Sequence, residues 1–594
     1  MPLTQVEMLD LGGGLNEGQP WASLNENEMT VLKNWYPFGR KLRRRGGVRL
    51  ITTSSAWDEN IYGMFPLKTA TDSWVMLVGG QTKIGKLDGQ AIADLSSSDS
   101  FNTGTDLWRW AQYKNYAYAM RPSAGKMLRV SSDTWQNAGI AAPTVAPTIV
   151  DGGAGALTAA NYYGVFTFYN DATGMESNPS PVSAVLALGG SKMVDWSAVQ
   201  ASLNPFVTSR RLYRTLPDQV GEYFYVATIS NNVATTFDDE NIIIADMGRA
   251  VSYENGVPPA DLETGVIWRE RMFATDNTDL WFSEYSLPEC FGAESFLPVY
   301  PDDGHEIRAL HAFGDRLIIG KTNKIHYLVG ADDASFAVLT LSDKHGCYSQ
   351  HSMHSSEGML FWYGSGNNVY RSDGNNVVEI STVKVRDTLD NIPDALATQV
   401  VGAVFPSLSW YVLSCPQAAG ANNTVVIVYN YKTDAWTTFE HPSDAPQFLA
   451  DYFDENLEQI LYSTFYDGNI YQYADESYTT DFGNTISAEV VTKALDFDQA
   501  GYRKYLREAW ILIPKVSGGT VTLEVYNDED TTASISRTPS IDIADSAWKA
   551  YRIPTGTPGS QIRFGLKYAG TTLVDLEGIH LEADVLRRRP KQPI

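Results

Sequence analysis

Three cysteines, Cys290, Cys347 and Cys415, are all that this 594-residue chain contains. An odd, sparse set cannot build a disulfide framework, and it reads as reduced, buried thiols of a protein made in a cytoplasm. Long apolar runs are also missing. The longest, such as VVIVY at 425–429, have strand length, whereas a membrane helix needs about 20 apolar residues. The start, MPLTQVEMLDLGGG, lacks the basic and then apolar regions of a secretory signal. Basic charge is in deficit: 45 Lys+Arg stand against 70 Asp+Glu, a net charge of −25. A phosphate grip needs a basic footprint, so simple nucleic-acid binding is excluded. DNA sliding past without sticking is not.

Catalytic motifs are scarce too. Gly364-Ser365-Gly366 lacks the flanks of a nucleophile elbow and reads as a hairpin turn. GGGLNEG (12–18) has no preceding strand and no Lys-Ser/Thr, so it reads as a flexible or tightly turned arm rather than a phosphate loop. Complete Ser-x-Asp-x-Gly-x-x-Trp boxes are absent, and Ser372-Asp373-Gly374 is a fragment of one. Asp238-Asp239 and Asp302-Asp303 are ordinary turn chemistry, and no carboxylate pair stands out for acid/base work. The expectation is a protein without a cofactor and without enzymatic activity.

Helix signals are few. The best candidate is Val383–Leu389, with Asp390 and Pro393 beyond it. What the chain does have is 43% hydrophobic residues with only 19% charged, enough for several packed cores. Gly 48, Tyr 32 and Trp 15 favour β structure. Short β-branched and aromatic runs end in turn residues, as in Val75–Val78 before Gly79-Gly80 and Met359–Tyr363 before Gly364.

One element recurs: a short strand with an aromatic near its end, then a polar turn. It appears at 83–89, 126–135, 278–285, 323–330, 367–374, 425–436 and 468–475. Other strands precede it, as in RMFATD (271–276), DRLIIG (315–320), GMLFWYG (358–364), SWYVLS (409–414) and EQILYST (458–464). The step from 279 to 323 to 367 is about 44 residues, the length of one four-stranded propeller blade. A blade cannot bury both faces alone, so blades stack radially and close a ring.

The fold class expected is all-β: a β-propeller of about six to eight blades, with an inserted fibronectin III-like β-sandwich and a C-terminal β-sandwich. Residues 1–50 form an N-terminal arm and first strand, 51–141 the first blades, 142–248 the inserted sandwich, 249–476 the remaining blades, and 477–594 the C-terminal sandwich with a basic tail. The insert opens on the Pro-rich APTVAPT (142–148) and carries NYYGVFTFYNDATGMESNPSPVSAV (161–185). Blade number turns on whether segment 48–55 closes the ring.

Two residue groups merit weighing as sites. His345, Cys347, His351 and His354 concentrate metal-ligand types, but the spacing matches no standard knuckle. If 351–354 is strand, His351 and His354 face opposite sides. They are weak candidates, and no metal is expected. Basic residues gather near both ends of an acidic chain: Arg40, Lys41, Arg43, Arg44 and Arg45, and then Arg587, Arg588, Arg589 and Lys591. Such patches are docking candidates for an acidic partner or a DNA backbone, against the plain alternative of a solvated arm.

Residues 12–47, GGGLNEGQPWASLNENEMTVLKNWYPFGRKLRRRGG, resemble the start of short-tailed phage tail tubular, nozzle or head-to-tail stabilisation proteins. The matching positions are Gly12–Leu15, Asn34-Trp35 and Arg45-Gly46-Gly47. Tyr162–Pro181, Arg210–Thr215, Ile307–Gly330 and Gly346–Gly374 are similar to modules such proteins carry. The resemblance implies a structural virion protein, synthesised in the host cytoplasm and placed in the tail. It implies a homo-hexameric tube below the portal and adaptor ring, with tail fibres or spikes as further partners. That tube retains the packaged genome and conducts double-stranded DNA at ejection without binding it specifically. No catalytic residue and no membrane segment is implied. The alternatives are a carbohydrate- or receptor-binding propeller acting as a tail adhesin, and a propeller glycosidase.

Overall fold

The computed structural model describes residues 3–53, 57–58, 60–97, 101, 104, 106–239, 246–418, 420–453, 458–513, 519–537, 547–554, 556 and 558–586. Seven sheets with a four-stranded antiparallel core follow one another around a common axis among these residues. Blades 1 to 6 span 61–94, 109–137, 264–298, 307–342, 354–379 and 401–440. Blade 7 takes three strands from 448–475 and its fourth from Gly47–Leu50. Every recurrence of the aromatic element seen in the sequence falls on the third strand of a blade, such as Asp279–Phe282, Ile325–Val329 and Asn368–Ser372.

The physical reason for the ring lies in strand alternation. In Trp410–Pro416 of blade 6, Tyr411, Leu413 and Cys415 pack toward blade 5, while Trp410 and Val412 pack toward blade 7. Successive side chains point to opposite faces, so a strand apolar on both faces needs a neighbour on each side. Each of the seven seams between adjacent blades holds its own apolar cluster. The innermost strand of blade 7, Phe448–Phe453, lies against that of blade 1, Ile61–Lys68, so the circle is complete. Closure covers the blade faces that an open array would expose and leaves only short, protected strand edges.

Residues 3–50 are a thread through the whole molecule rather than an arm. Leu3–Met8 pairs with Gly578–Val585 of the C-terminal sandwich. Glu28–Lys33 lies between blade 6 and that sandwich, bridged to Lys33↔Thr438 on one side and paired to Ser487–Thr492 on the other. Trp35–Phe38 and Lys41–Arg44 form a hairpin that adds Asp575-Leu576. Gly47–Leu50 then completes blade 7 by pairing Leu50↔Tyr471. The first blade begins only afterwards, so early and late chain segments share one sheet.

The insert between blades 2 and 3 is a sandwich of a three-stranded sheet (Thr148–Leu157, Lys192–Ser197, Phe237–Asp239) and a four-stranded one (Gly164–Tyr169, Ser209–Arg214, Phe224–Ile229, Asp246–Ala250). Phe166, Phe168, Trp196 and Leu212 fill its core. It docks on the propeller where the Arg129 guanidinium lies 3.2 Å from the centroid of the Phe206 ring. The C-terminal sandwich faces a sheet of Leu3–Met8, Gly578–Val585, Lys504–Ile513 and Ala547–Arg552 against one that continues through Glu28–Lys33 into blade 6.

The helix expected over Val383–Leu389 is shorter and displaced: one turn at Arg386–Asp390, the only α-helix among the described residues. Glu17, from the GGGLNEG stretch, accepts hydrogen bonds from the Thr388 amide (3.0 Å) and hydroxyl (2.9 Å) in this turn.

Candidate functional site

The first basic cluster is mostly internal. Arg44 and Arg45 have no exposed surface. Arg44 donates to the Gly570 carbonyl at 2.8 Å and the Thr479 carbonyl at 3.2 Å. Burial, with too little opposing charge, pulls its guanidinium down to about 10. Arg45 pairs with buried Asp481 and also donates to Asn34 Oδ1 (2.8 Å), the Gly46 carbonyl (3.1 Å) and the Glu440 carbonyl (2.9 Å). Burial works against both charges of that pair. The mutual attraction outweighs it, raising Arg45 and holding Asp481 well below the carboxylate range. His441 completes the network, Nδ1 3.1 Å from Asp481 and Nε2 3.0 Å from the Tyr473 hydroxyl. Arg43 binds Asp575 at 2.9 Å, and Lys41 reaches the same carboxylate. Arg40 alone of the five is exposed. Arg44 and Arg45 therefore do not face a partner, because neither has surface with which to reach one. Arg587, Arg588, Arg589 and Lys591 lie outside the described residues.

The motif around these arginines is explained by close packing. A Cβ on Gly46 would sit 2.3 Å from the Asp475 carbonyl oxygen, and one on Gly47 2.3 Å from that of Thr480. Asn34 adopts φ 59° and uses Oδ1 for Arg45 and for the Glu440 amide (2.9 Å). Trp35 is fully buried against the C-terminal sandwich. Asn34-Trp35 and Arg45-Gly46-Gly47 thus mark the seam joining blade 6, blade 7 and the sandwich.

The His/Cys group is divided between two places. Cys347 is buried in the seam of blades 4 and 5, its thiol 3.2 Å from the Ser349 carbonyl. His345 stacks on Tyr370. His351 and His354 do not diverge as a strand would have them. Gln350–Ser352 is a short 3-10 turn, and it brings both imidazoles to the propeller axis. Among the described residues no three His, Cys, Asp or Glu side chains are grouped to hold a metal ion.

The axis is a solvent-accessible cavity of about 350 Å³, walled by the innermost strand of every blade. Its polar wall comprises Arg109, Gln350, His351, His354, His311 and Asp451, set among Trp110, Phe65 and Phe448. Arg109 comes from blade 2, His311 from blade 4 and Asp451 from blade 7. Arg109 donates to the Glu263 carbonyl at 2.7 Å. His311 Nε2 lies 2.9 Å from the Ser355 hydroxyl, and His354 Nε2 lies 3.1 Å from the His351 carbonyl. Burial disfavours every charged form here. It lowers His311 to about 3, helped by His354, and lowers His351 far below its usual range, helped by Arg109. His354 is lowered and Asp451 raised for the same reason. The sequence reading missed Arg109, Trp110, His311 and Asp451. Their signal was register: each sits on an innermost strand, two strands ahead of the recurring aromatic element.

A second concavity, about 870 Å³, opens where blades 1 and 2 meet the insert. Thr69, Thr71, Ser131, Ser132, Tyr116 and Arg129 are among its walls. Arg129 is held by Glu289 at 2.8 Å.

No protein-family model matches the chain, and no curated protein matches it in sequence. Among solved structures it is similar to the computationally designed Ika8 protein, at 10% identity over 72% of this chain and 99% of that one, with a TM-score of 0.30. It is similar to YCF48 bound to D1 peptide at 8% identity, over 71% and 94% of the two chains, with a TM-score of 0.28. A glycoside hydrolase family 43 arabinoxylan arabinofuranohydrolase from Bacillus subtilis matches at 8% identity, over 67% and 93%, with a TM-score of 0.20. The propeller itself is defined by the strand pairing of this chain. No helix among the described residues is long and apolar enough to cross a membrane.

Proposed function

We propose that this chain is a structural virion protein of a short-tailed phage tail. Six copies form a nozzle below the portal and adaptor that retains packaged DNA and conducts it at ejection. The observation that supports this most is the role of the motif carrying the resemblance. Gly14, Asn34-Trp35 and Arg45-Gly46-Gly47 are the residues that join the propeller to the C-terminal sandwich. A wall element under the load of a packaged genome needs its modules fixed to one another, and this thread fixes them. The axial cavity is too small for a duplex, since about 350 Å³ is on the order of a dozen water volumes. The bore of the nozzle is therefore formed between copies. A net charge of −25 per copy repels phosphates across a Debye length of about 8–10 Å, so DNA passes without adhering. Glycoside hydrolysis usually needs two carboxylates flanking the bond, and Asp451 is the one carboxylate among the described residues of the cavity wall. The described cavity wall therefore favours the scaffold reading over a two-carboxylate glycosidase.

The test is deletion of the gene in the producing phage. Particles that package but lose their DNA are expected, and DNA-filled, stable particles lacking the protein would refute the role. The hydroxyl-rich groove beside the insert favours one second reading, a carbohydrate-binding tail adhesin, because hydroxyls and Tyr116 suit a sugar face. Saturable glycan binding by a monomer, lost in Tyr116→Ala, would support that reading over the nozzle.

A further inference from the structure

On the propeller axis Arg109 forms no ion pair among the described residues, and the nearby carboxylates Glu263 and Asp106 act on it only through space. Arg45, Arg129 and Arg214 each meet a buried carboxylate, and buried Arg44 and Arg210 each donate to two acceptors. Arg109 makes one hydrogen bond, to a backbone carbonyl, and no ion pair among the described residues. Its Nε is buried without a partner. Three more polar atoms of the cavity-lining residues are buried without a partner: Trp110 Nε1, Thr264 Oγ1 and His351 Nε2. Each of the four can donate a hydrogen bond, and none has a protein acceptor. Unpaired buried groups are rare in folded proteins and mark a strain reservoir, a catalytic role, or a missing water or ion.

We propose that the axial cavity binds a small oxyanion of the carboxylate or phosphate class, with the Arg109 guanidinium as its anchor and His351 beside it as a donor. Charge sign argues for an anion. Arg109 is the one Lys or Arg among the described residues of the wall, and Asp451, the one carboxylate there, is driven toward its neutral form by burial. Size argues for a small one, since about 350 Å³ admits phosphate or a short carboxylate. Planar recognition of such groups is what a guanidinium does best.

The site is also coupled to protons. His351 faces Arg109 and its neighbour His354, both of which oppose its protonation, and the Phe448 ring packs against it. His354 in turn feels Asp451, and His311 feels His354. Glu263 and Arg308 lie near Arg109 from outside the wall. Burial is the first force against a proton on His351, and an anion on Arg109 relieves only the Arg109 share of the rest, so bound anion and proton favour each other. The inference is independent of the nozzle reading.

Calorimetric titration of the full chain with inorganic phosphate and, separately, with acetate at pH 8 and pH 6 tests it. The expected result is one saturable site for at least one of the two. Arg109→Gln should weaken it about tenfold or more, from the loss of a charged hydrogen bond. His351→Gln, which leaves the anchor in place, should keep binding, and Arg40→Gln, on the exposed surface, should change nothing. Preference for phosphate over acetate or the reverse assigns the class. Absence of saturable binding of both anions, or equal binding by wild type and folded Arg109→Gln, would overturn the proposal.

Discussion

Replacing Arg45 by Met should open the molecule at its thread before it melts as a whole. Arg45 occupies both oxygens of Asp481 and also bonds Asn34 Oδ1, the Gly46 carbonyl and the Glu440 carbonyl. Its removal leaves a buried carboxylate with His441 as its remaining side-chain partner, together with three acceptors that lose a donor. Breaking a buried ion pair from one side costs about 3–5 kcal/mol, and each orphaned acceptor about 1 kcal/mol more. That sum is comparable to the whole stability of many domains. The first consequence is local, because Gly47–Leu50 is held by Ile470–Asp475 on one edge, by the single bridge Val48↔Asp481 on the other, and by this clasp at its start. Hydrogen exchange of residues 47–50 and 470–475 should rise from protected to near-solvent rates, with the insert unaffected. Arg45→Met/Asp481→Leu should recover part of the loss, since an apolar pair needs no charge compensation. The acid limb changes as well. Asp481 is held below its ordinary value of 3.8, so it adds stability above pH 3.8 that is lost as pH falls below it. In Arg45→Met the Arg45 share of that contribution disappears. A single variant costing under about 1 kcal/mol, or a double variant no better than the single, would refute the clasp.

Other outcomes follow from the same geometry. Gly46→Ala or Gly47→Ala places a Cβ 2.3 Å from a backbone oxygen that cannot move aside, so chemical denaturation should show a loss of about 3 kcal/mol or more. His311, His351 and His354 have values depressed below the ordinary 6.5, so the unfolded chain takes up protons first and stability falls as pH drops below 6.5. Each contributes up to about 1.4 kcal/mol per pH unit, partly offset by Asp451, and His311→Gln should flatten the measured slope by about one proton. Burial pushes the Cys290 and Cys347 thiols up to about 12 and Cys415 upward as well, so a thiol reagent at pH 8 should label none in the native protein and all three in denaturant.

The propeller was legible because its signal is repeated. An alternating aromatic strand followed by a polar turn recurs seven times, and each recurrence is the third strand of a blade. The closure was legible only as an open question about segment 48–55, because GVRL at 47–50 is too short and too mixed to announce itself as the last strand of a blade built 400 residues later. The basic run at 40–45 misled for a related reason. Sequence shows charge but not its counter-charge, and Asp481 and Asp575 lie far along the chain. His351 and His354 would face opposite sides only in a strand, and the 3-10 turn at Gln350–Ser352 that replaces it carries no Pro or Gly to mark it. Arg109 and Asp451 stood unnoticed because neither belongs to a local motif, and only the ring brings blades 2 and 7 to one axis.

Electron cryo-microscopy of the purified full-length protein at virion-like concentration tests the central claim most directly. The account predicts a closed ring of six copies, each a seven-bladed propeller sealed by residues 47–50, with the bore between copies and no density for a channel through any propeller axis. A population of single propellers that never assemble, or a ring whose bore runs along a propeller axis, would contradict it.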